Sequence, residues 1–316
     1  MTRRAWGLFA AMTVLWGVPY LLIKVADRSF APPALVLART GLAAVLLVPV
    51  ALARGELLPV LRRWRPLLAY TVAELAVPWV LLADAERRLP SSLAGLLVAA
   101  VPLVAAVVAA ARGVERPGRA QLLGLLVGFG GVAVLAGVHV HGAGWRAVAE
   151  MAVVAVGYAV GPAVLAARMR DLPGMGVVAA SLGLTALAYL PWGLATWPGR
   201  VPPARVLASV AVLAVVCTAV AFLVFFALIG EAGPVRPMVF TYVNPVVAVA
   251  LGVAFLHEGA GPATLGGAVL VLAGSLLATG RVTRRRAERG PGRRAERRPG
   301  GSAAGVAALE GGYEPS

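Results

Sequence analysis

The apolar residues of this 316-residue chain come in long unbroken blocks, not at the spacing of an amphipathic helix or a half-buried strand. Ten blocks fall near residues 5–26, 33–53, 66–85, 90–111, 119–138, 146–168, 174–197, 205–229, 233–256 and 261–280. A segment inside a bilayer must pair its own backbone N–H and C=O groups, which takes about 20 apolar residues in one helix. The connections are short. The blocks therefore predict an all-α integral membrane protein of ten transmembrane helices in one bundle, and a chain that is 60% hydrophobic and 14% charged excludes a soluble domain.

Arg3 and Arg4 before the first apolar run imitate a signal peptide. That block is about 20 residues long, carries Trp16, Gly17 and Pro19, and precedes nine more, so it reads as the first membrane helix. With a cytoplasmic N-terminus, the inner loops collect Arg54, Arg62, Arg63, Arg65, Arg112, Arg116, Arg119, Arg168, Arg170 and Arg236. The outer loops hold fewer basic residues: Lys24, Arg28, Arg87, Arg88, Arg146, Arg200 and Arg205. Both termini are then expected in the cytoplasm of a multi-pass cell-membrane protein.

The net charge of +15 owes much to residues 281–316, where nine arginines lie between Arg281 and Arg298. This Gly/Pro-rich stretch reads as a disordered tail attracted to anionic lipid headgroups. No aromatic residue interleaves its arginines to stack a base, which argues against nucleic acid.

Cys217 is the sole cysteine, so no disulfide closes within the chain. His139, His141 and His257 fall in loops with no thiol or carboxylate pair at ligand spacing, and neither a metal nor another cofactor is expected.

The stretch VNPVVAVALGVAFLHE, 243–258, repeats the pattern of VPLVAAVVAAARGVE, 101–115, at one constant offset. Pro102 matches Pro245, Glu115 matches Glu258, and Gly124, Gly131 and Gly137 fall on Gly267, Gly274 and Gly280. Two halves of five helices each, 5–138 and 146–280, follow. Because five is odd, the second half enters the membrane inverted, an architecture typical of secondary transporters.

Spaced glycines predict close helix packing. Pro102 and Pro245 each remove an N–H, leaving the carbonyls of Val98 and Thr241 unpaired at a mid-membrane break. Asn244 and Tyr242 can supply hydrogen bonds there. Glu115 and Glu258 read as caps of the helices that follow them.

These features resemble the paired EamA domains of the drug/metabolite transporter superfamily, from Leu8 to Gly280. The resemblance rests on LWGVPYLLIK (15–24), Arg39 in ARTGLA, and the duplicated Pro-to-Glu helix followed by spaced glycines. ELAVPWVLLADAERRLPSSLAGLL, 74–97, is similar to one subset of that family. Tyr158 departs from the pattern, which has a tryptophan there, and the second half has no match to Lys24. The resemblance implies a ten-helix carrier of two inverted five-helix EamA repeats, moving small organic solutes, often by proton-driven export.

A charge within a span is a functional candidate by default. Glu74 lies about 12 Å into the third helix at 1.5 Å per residue, near mid-depth. Pro78 frees its backbone carbonyl, so proton or amine binding at that carboxyl is the expectation. Arg39 is expected to tie to Glu74 or Glu150, or to meet a carboxylate substrate. Glu150 can equally snorkel to the outer interface.

Trp16 and Trp79 sit deep enough to line a pathway for cations or amphipathic solutes, with Tyr20, Tyr158 and Tyr242 as further aromatic faces. Trp6, Trp64, Trp145, Trp192 and Trp197 sit at block ends as interface anchors.

No G-x-x-x-x-G-K-[ST] occurs, so the driving force is expected to be a gradient. A membrane-embedded enzyme lacks a buried histidine base, and a non-transporting receptor is the other alternative. The expected partners are a small-molecule substrate, bilayer lipids and, as an open option, a second copy in a homodimer.

Overall fold

The computed structural model describes residues 2–113, 118–137, 144–232, 243–259 and 261–288, the last ten by backbone only. Glu115, His139, His141, Thr241 and Tyr242 lie outside the described residues. Eight helices are long and apolar enough to cross a membrane: α1 Arg3–Ala26, α2 Pro32–Ala53, α3 Trp64–Glu86, α4 Ser91–Ala111, α5 Arg119–Gly137, α6 Gly144–Arg168, α7 Gly174–Ala195 and α8 Ala204–Glu231. Two shorter apolar helices follow, α9 Asn244–Leu256 and α10 Pro262–Ala278. Among the described residues all regular structure is helical.

The expectation of disorder from residue 281 fails over its first eight residues. The helical backbone of α10 continues to Glu288, through arginines, an alanine and a glutamate that favour a helix. The Gly290–Pro291 pair comes only afterwards.

Lipid offers no hydrophobic drive to pack one helix on another, so close approach through small residues matters most. α5 and α10 meet along such a seam. A Cβ on Gly131 would lie 2.7 Å from the Val271 nitrogen and 2.8 Å from the Gly267 oxygen, and one on Gly274 would overlap the backbone of Gly128. The pairs Gly124 with Ala278 and Gly131 with Val271 show that the two helices run antiparallel.

The same sense recurs between other helices of the two halves. α2 and the turn after it meet α7 through Leu37 on Gly193 and Glu56 on Gly176. α4 meets α9 through Gly95 on Ala248 and Ser91 on Gly252. α1 meets α8 through Thr2 on Glu231 and Trp16 on Phe222.

Breaks punctuate several helices. α1 restarts at Pro19, and α4 is interrupted at Ala99–Ala100 ahead of Pro102. There the Ser275 hydroxyl of α10 donates to the Ala99 carbonyl at 3.1 Å, so protein satisfies one backbone acceptor at the break. Pro245 is described only from its own helix onward. It stands in the first turn of α9, a place where a missing N–H costs nothing, and Thr241, whose carbonyl it was expected to free, is not among the described residues.

α3 and α8 each contain a π-helical turn, at Val72–Ala76 and Val215–Val220. In α3 the cause is Pro78, whose ring would clash with a carbonyl four residues back. Widening the turn ahead of it relieves the clash, and the Tyr189 hydroxyl donates to the Ala76 carbonyl at 2.9 Å.

Candidate functional site

The π turn of α3 presents Glu74 towards α6, where Gly161 clears space for it. A Cβ on Gly161 would overlap the Glu74 Oε2 atom. That oxygen is buried without a hydrogen-bond partner. A carboxyl oxygen in such surroundings accepts a proton or an ammonium, since an unpaired buried charge is costly. Tyr70 on α3 and Tyr158 on α6 are its electrostatic neighbours.

Arg39 on α2 reaches the same region but pairs with neither Glu74 nor Glu150. Its Nε donates to the Thr218 hydroxyl of α8 at 2.9 Å, and its guanidinium stacks 3.8 Å from the Trp79 ring centroid. A planar cation shared between a neutral acceptor and an aromatic face is held without a counter-charge touching it. The expected carboxylate tie fails because α8 places Thr218, on its own π turn, nearer than either glutamate. Thr218 in turn donates to the Leu213 carbonyl at 2.7 Å, closing that turn.

Trp79 is buried beside Arg39. Trp16 packs edge-on to Phe222 at 5.7 Å and tilted to Phe225 at 5.2 Å, which ties α1 to α8. Asn244 and Pro245 sit at the start of α9, whose Asn244 and Val247 lie against Gly17 at the break in α1. The constellation therefore gathers Glu74, Trp79 and Arg39 with Tyr158 and Thr218, while Trp16 and Asn244 stand along the neighbouring α1–α8 and α1–α9 contacts. Pro78 shapes the α3 turn and Pro102 the α4 break.

Glu150 does not snorkel alone. It accepts from Arg146 at 2.8 Å and Arg88 at 3.1 Å, and both arginines also hold Asp84.

A second polar region, not foreseen from sequence, lies where α1, α3 and α9 end and α4 begins. Lys24 turns inward and donates to the backbone carbonyls of Glu86 and, at 2.8 Å, Leu89, capping α3. Glu258 caps α4 and not α10: its two oxygens accept the Ser91 and Ser92 amides at 2.7 and 2.9 Å. This is a helix N-terminus of one half held by a carboxylate of the other. Burial raises Glu258, but hydrogen bonds from Ser92 and Ser91 outweigh it and hold the carboxyl below its usual range.

Sequence signals for this region existed only as charges at block edges, which read equally well as loop residues. Among the described residues no cluster of His, Cys, Asp and Glu has the makings of a metal site.

Eight helices long and apolar enough to cross a membrane, with polar groups buried among them, define the class of the chain as a multi-pass membrane protein. The chain belongs to the EamA-like transporter family, whose pattern it matches twice, over residues 4–137 and 145–280. Among curated relatives, it is 27% identical over 252 residues to the uncharacterized inner membrane transporter YedA of Escherichia coli (strain K12), covering 78% of this chain and 81% of that one. It is 26% identical over 272 residues to the uncharacterized transporter YvbV of Bacillus subtilis (strain 168), covering 84% and 88%. A solved crystal structure at 22% identity superposes with a TM-score of 0.64 over 89% of this chain and 98% of that one, a likeness of fold alone.

Proposed function

We propose that the chain is a secondary active transporter that exports small organic solutes, a metabolite, amino acid or drug, in exchange for protons by alternating access. The observation that carries the reading is Glu74, a carboxyl buried beside a proline-induced π turn with one oxygen unpartnered. Such a group binds a proton or the amine of a solute, but not both together, and that competition is the elementary requirement of exchange.

Ten membrane helices arranged as two inverted repeats, 5–138 and 146–280, provide the frame. The antiparallel contacts of α2 with α7, α4 with α9 and α5 with α10 support inversion, because equivalent helices of an inverted pair run in opposite directions. Both termini face the cytoplasm, the arginine-rich tail lies against anionic lipid, and a homodimer is compatible with the apolar outer surface.

The test is solute-driven proton flux in liposomes with a trapped pH dye, challenged with pooled amino acids, organic cations and organic acids. Flux in the wild type and its loss in Glu74→Gln, with the variant still inserted, is the expected result. Equal flux and equal pH dependence in both proteins would remove Glu74 from the coupling step.

A further inference from the structure

A vestibule of about 520 Å³ opens at the end of the bundle where α1, α3 and α9 finish. Its wall carries four basic and two acidic side chains, and most are already engaged. Lys24 is held by the carbonyls of Glu86 and Leu89. Arg88 is held by Asp84 and Glu150, and Glu258 by the Ser91 and Ser92 amides. Asp27 stands apart: both of its carboxylate oxygens are buried without a hydrogen-bond partner. Behind it the wholly buried Glu86 also has both carboxylate oxygens unpartnered. Arg28 and Arg87 stand exposed on the same wall.

These charges discriminate among ligands. A lone cation reaching Asp27 would also meet Lys24, Arg28 and Arg87. A lone anion held by the two free arginines would leave Asp27 as it is. A solute bearing both charges satisfies both sets, and Leu89, Pro90 and Leu256 give the wall an apolar portion for an aliphatic group. The geometry points to this vestibule as a binding site for a small aliphatic zwitterion, its ammonium on Asp27 and its carboxylate on Arg28 and Arg87. Binding here does not depend on the transport reading above.

The site carries its own proton signature. Burial pushes Asp27 up to about 7, with Arg87 and Lys24 pulling the other way and Asp84 adding to the rise. It faces Lys24 and Arg28 from its own segment, Asp84 and Glu86 from α3, Arg87 and Arg88 from the turn after α3, and Glu258 from beyond α9. α8, packed on the same stretch of α1, contributes Arg205 near its start. An ammonium binds the ionised carboxylate, so at acid pH the Asp27 proton must leave to water as the ligand enters. Binding then releases about one proton per ligand at pH 6 and close to none at pH 8.

Calorimetry on the full chain in nanodiscs, in buffers of differing ionisation enthalpy, tests this. The probes are leucine, leucine methyl ester as the cation alone, and 4-methylpentanoate as the anion alone. Leucine is expected to bind at least about tenfold tighter than either analogue, with proton release at pH 6. Asp27→Asn abolishes the release and weakens leucine by about tenfold or more, while Arg87→Ala narrows the preference for leucine over its ester. Glu74→Gln, which stops coupled flux under the transport reading, leaves the titration unchanged, so the two readings fail separately. Equal affinity for leucine and its ester, no proton release at pH 6, or an unaltered Asp27→Asn titration each overturns the assignment.

Discussion

The π turns of α3 and α8 occupy equivalent places in the two halves, Val72 standing to Val215 as Pro102 stands to Pro245, yet they arise differently and hold different side chains. In α3 the distortion precedes Pro78 and displays Glu74, one oxygen unpartnered. In α8 the matching positions are Ala221 and Cys217, and the turn is closed by the Thr218 hydroxyl on the Leu213 carbonyl five residues back. One turn leaves a carboxyl oxygen bare, while the other uses a hydroxyl to seat the Arg39 cation of α2. A shared backbone deformation can thus survive while its chemistry diverges, since the geometry needs only one group that disturbs the helical ladder.

The comparison can be broken most forcefully by giving α3 the residue that α8 has. Glu74→Cys is expected to abolish solute-dependent proton flux, whereas Cys217→Ser keeps at least about half of it; comparable flux from the two variants would mean the turns are interchangeable.

Next in size is Thr218→Val, which removes the acceptor of the Arg39 Nε and one tie of the α8 turn. A loss of about 1–3 kcal/mol in unfolding free energy is expected from denaturant titration in detergent. An unchanged midpoint would show that the Trp79 ring holds Arg39 by itself.

Glu258→Gln tests the contact between halves at the vestibule and should lower the melting temperature by roughly 2–4 °C. Its pH dependence has a fixed sign. A carboxyl held below its usual value in the fold contributes fully above about pH 4.3 and loses that contribution as pH falls through the lowered value. The wild type therefore loses melting temperature in acid through this group, and the Gln variant lacks that part of the slope.

The smallest effect belongs to Pro78→Ala, which permits α3 to regain regular hydrogen bonding at the cost of the wide turn. Stability should move by less than about 1 kcal/mol while flux falls, because Glu74 rotates away from Gly161.

Much of this arrangement is legible in sequence because bilayer residence writes itself into block length and because the internal repeat shows in prolines and glycines. Pro78 announces the α3 turn, and the glycines of α5 and α10 announce their seam. Nothing comparable announces the α8 turn, where an ordinary threonine takes the part of a proline. The partners of Arg39 and Glu258 are hidden for another reason. Each is set by the rotation and depth of a helix in the opposite half of the chain, and block boundaries carry no information on rotation. Lys24, Asp27 and Glu86 suffer the same ambiguity at block ends, where a charge can turn inward to a vestibule or outward to water.

The glycine seam also bears on how the chain is made. α5 leaves the ribosome with its glycines bare and no helix to receive them, for the whole second half separates Gly131 from its partner stretch around Gly274. At about 5–20 residues per second, roughly 7–29 seconds pass before α10 arrives. Throughout that interval α5 presents lipid or the insertion machinery with a face whose proper neighbour has not been synthesised. The first half is therefore completed late, by a helix made after the rest of the second half.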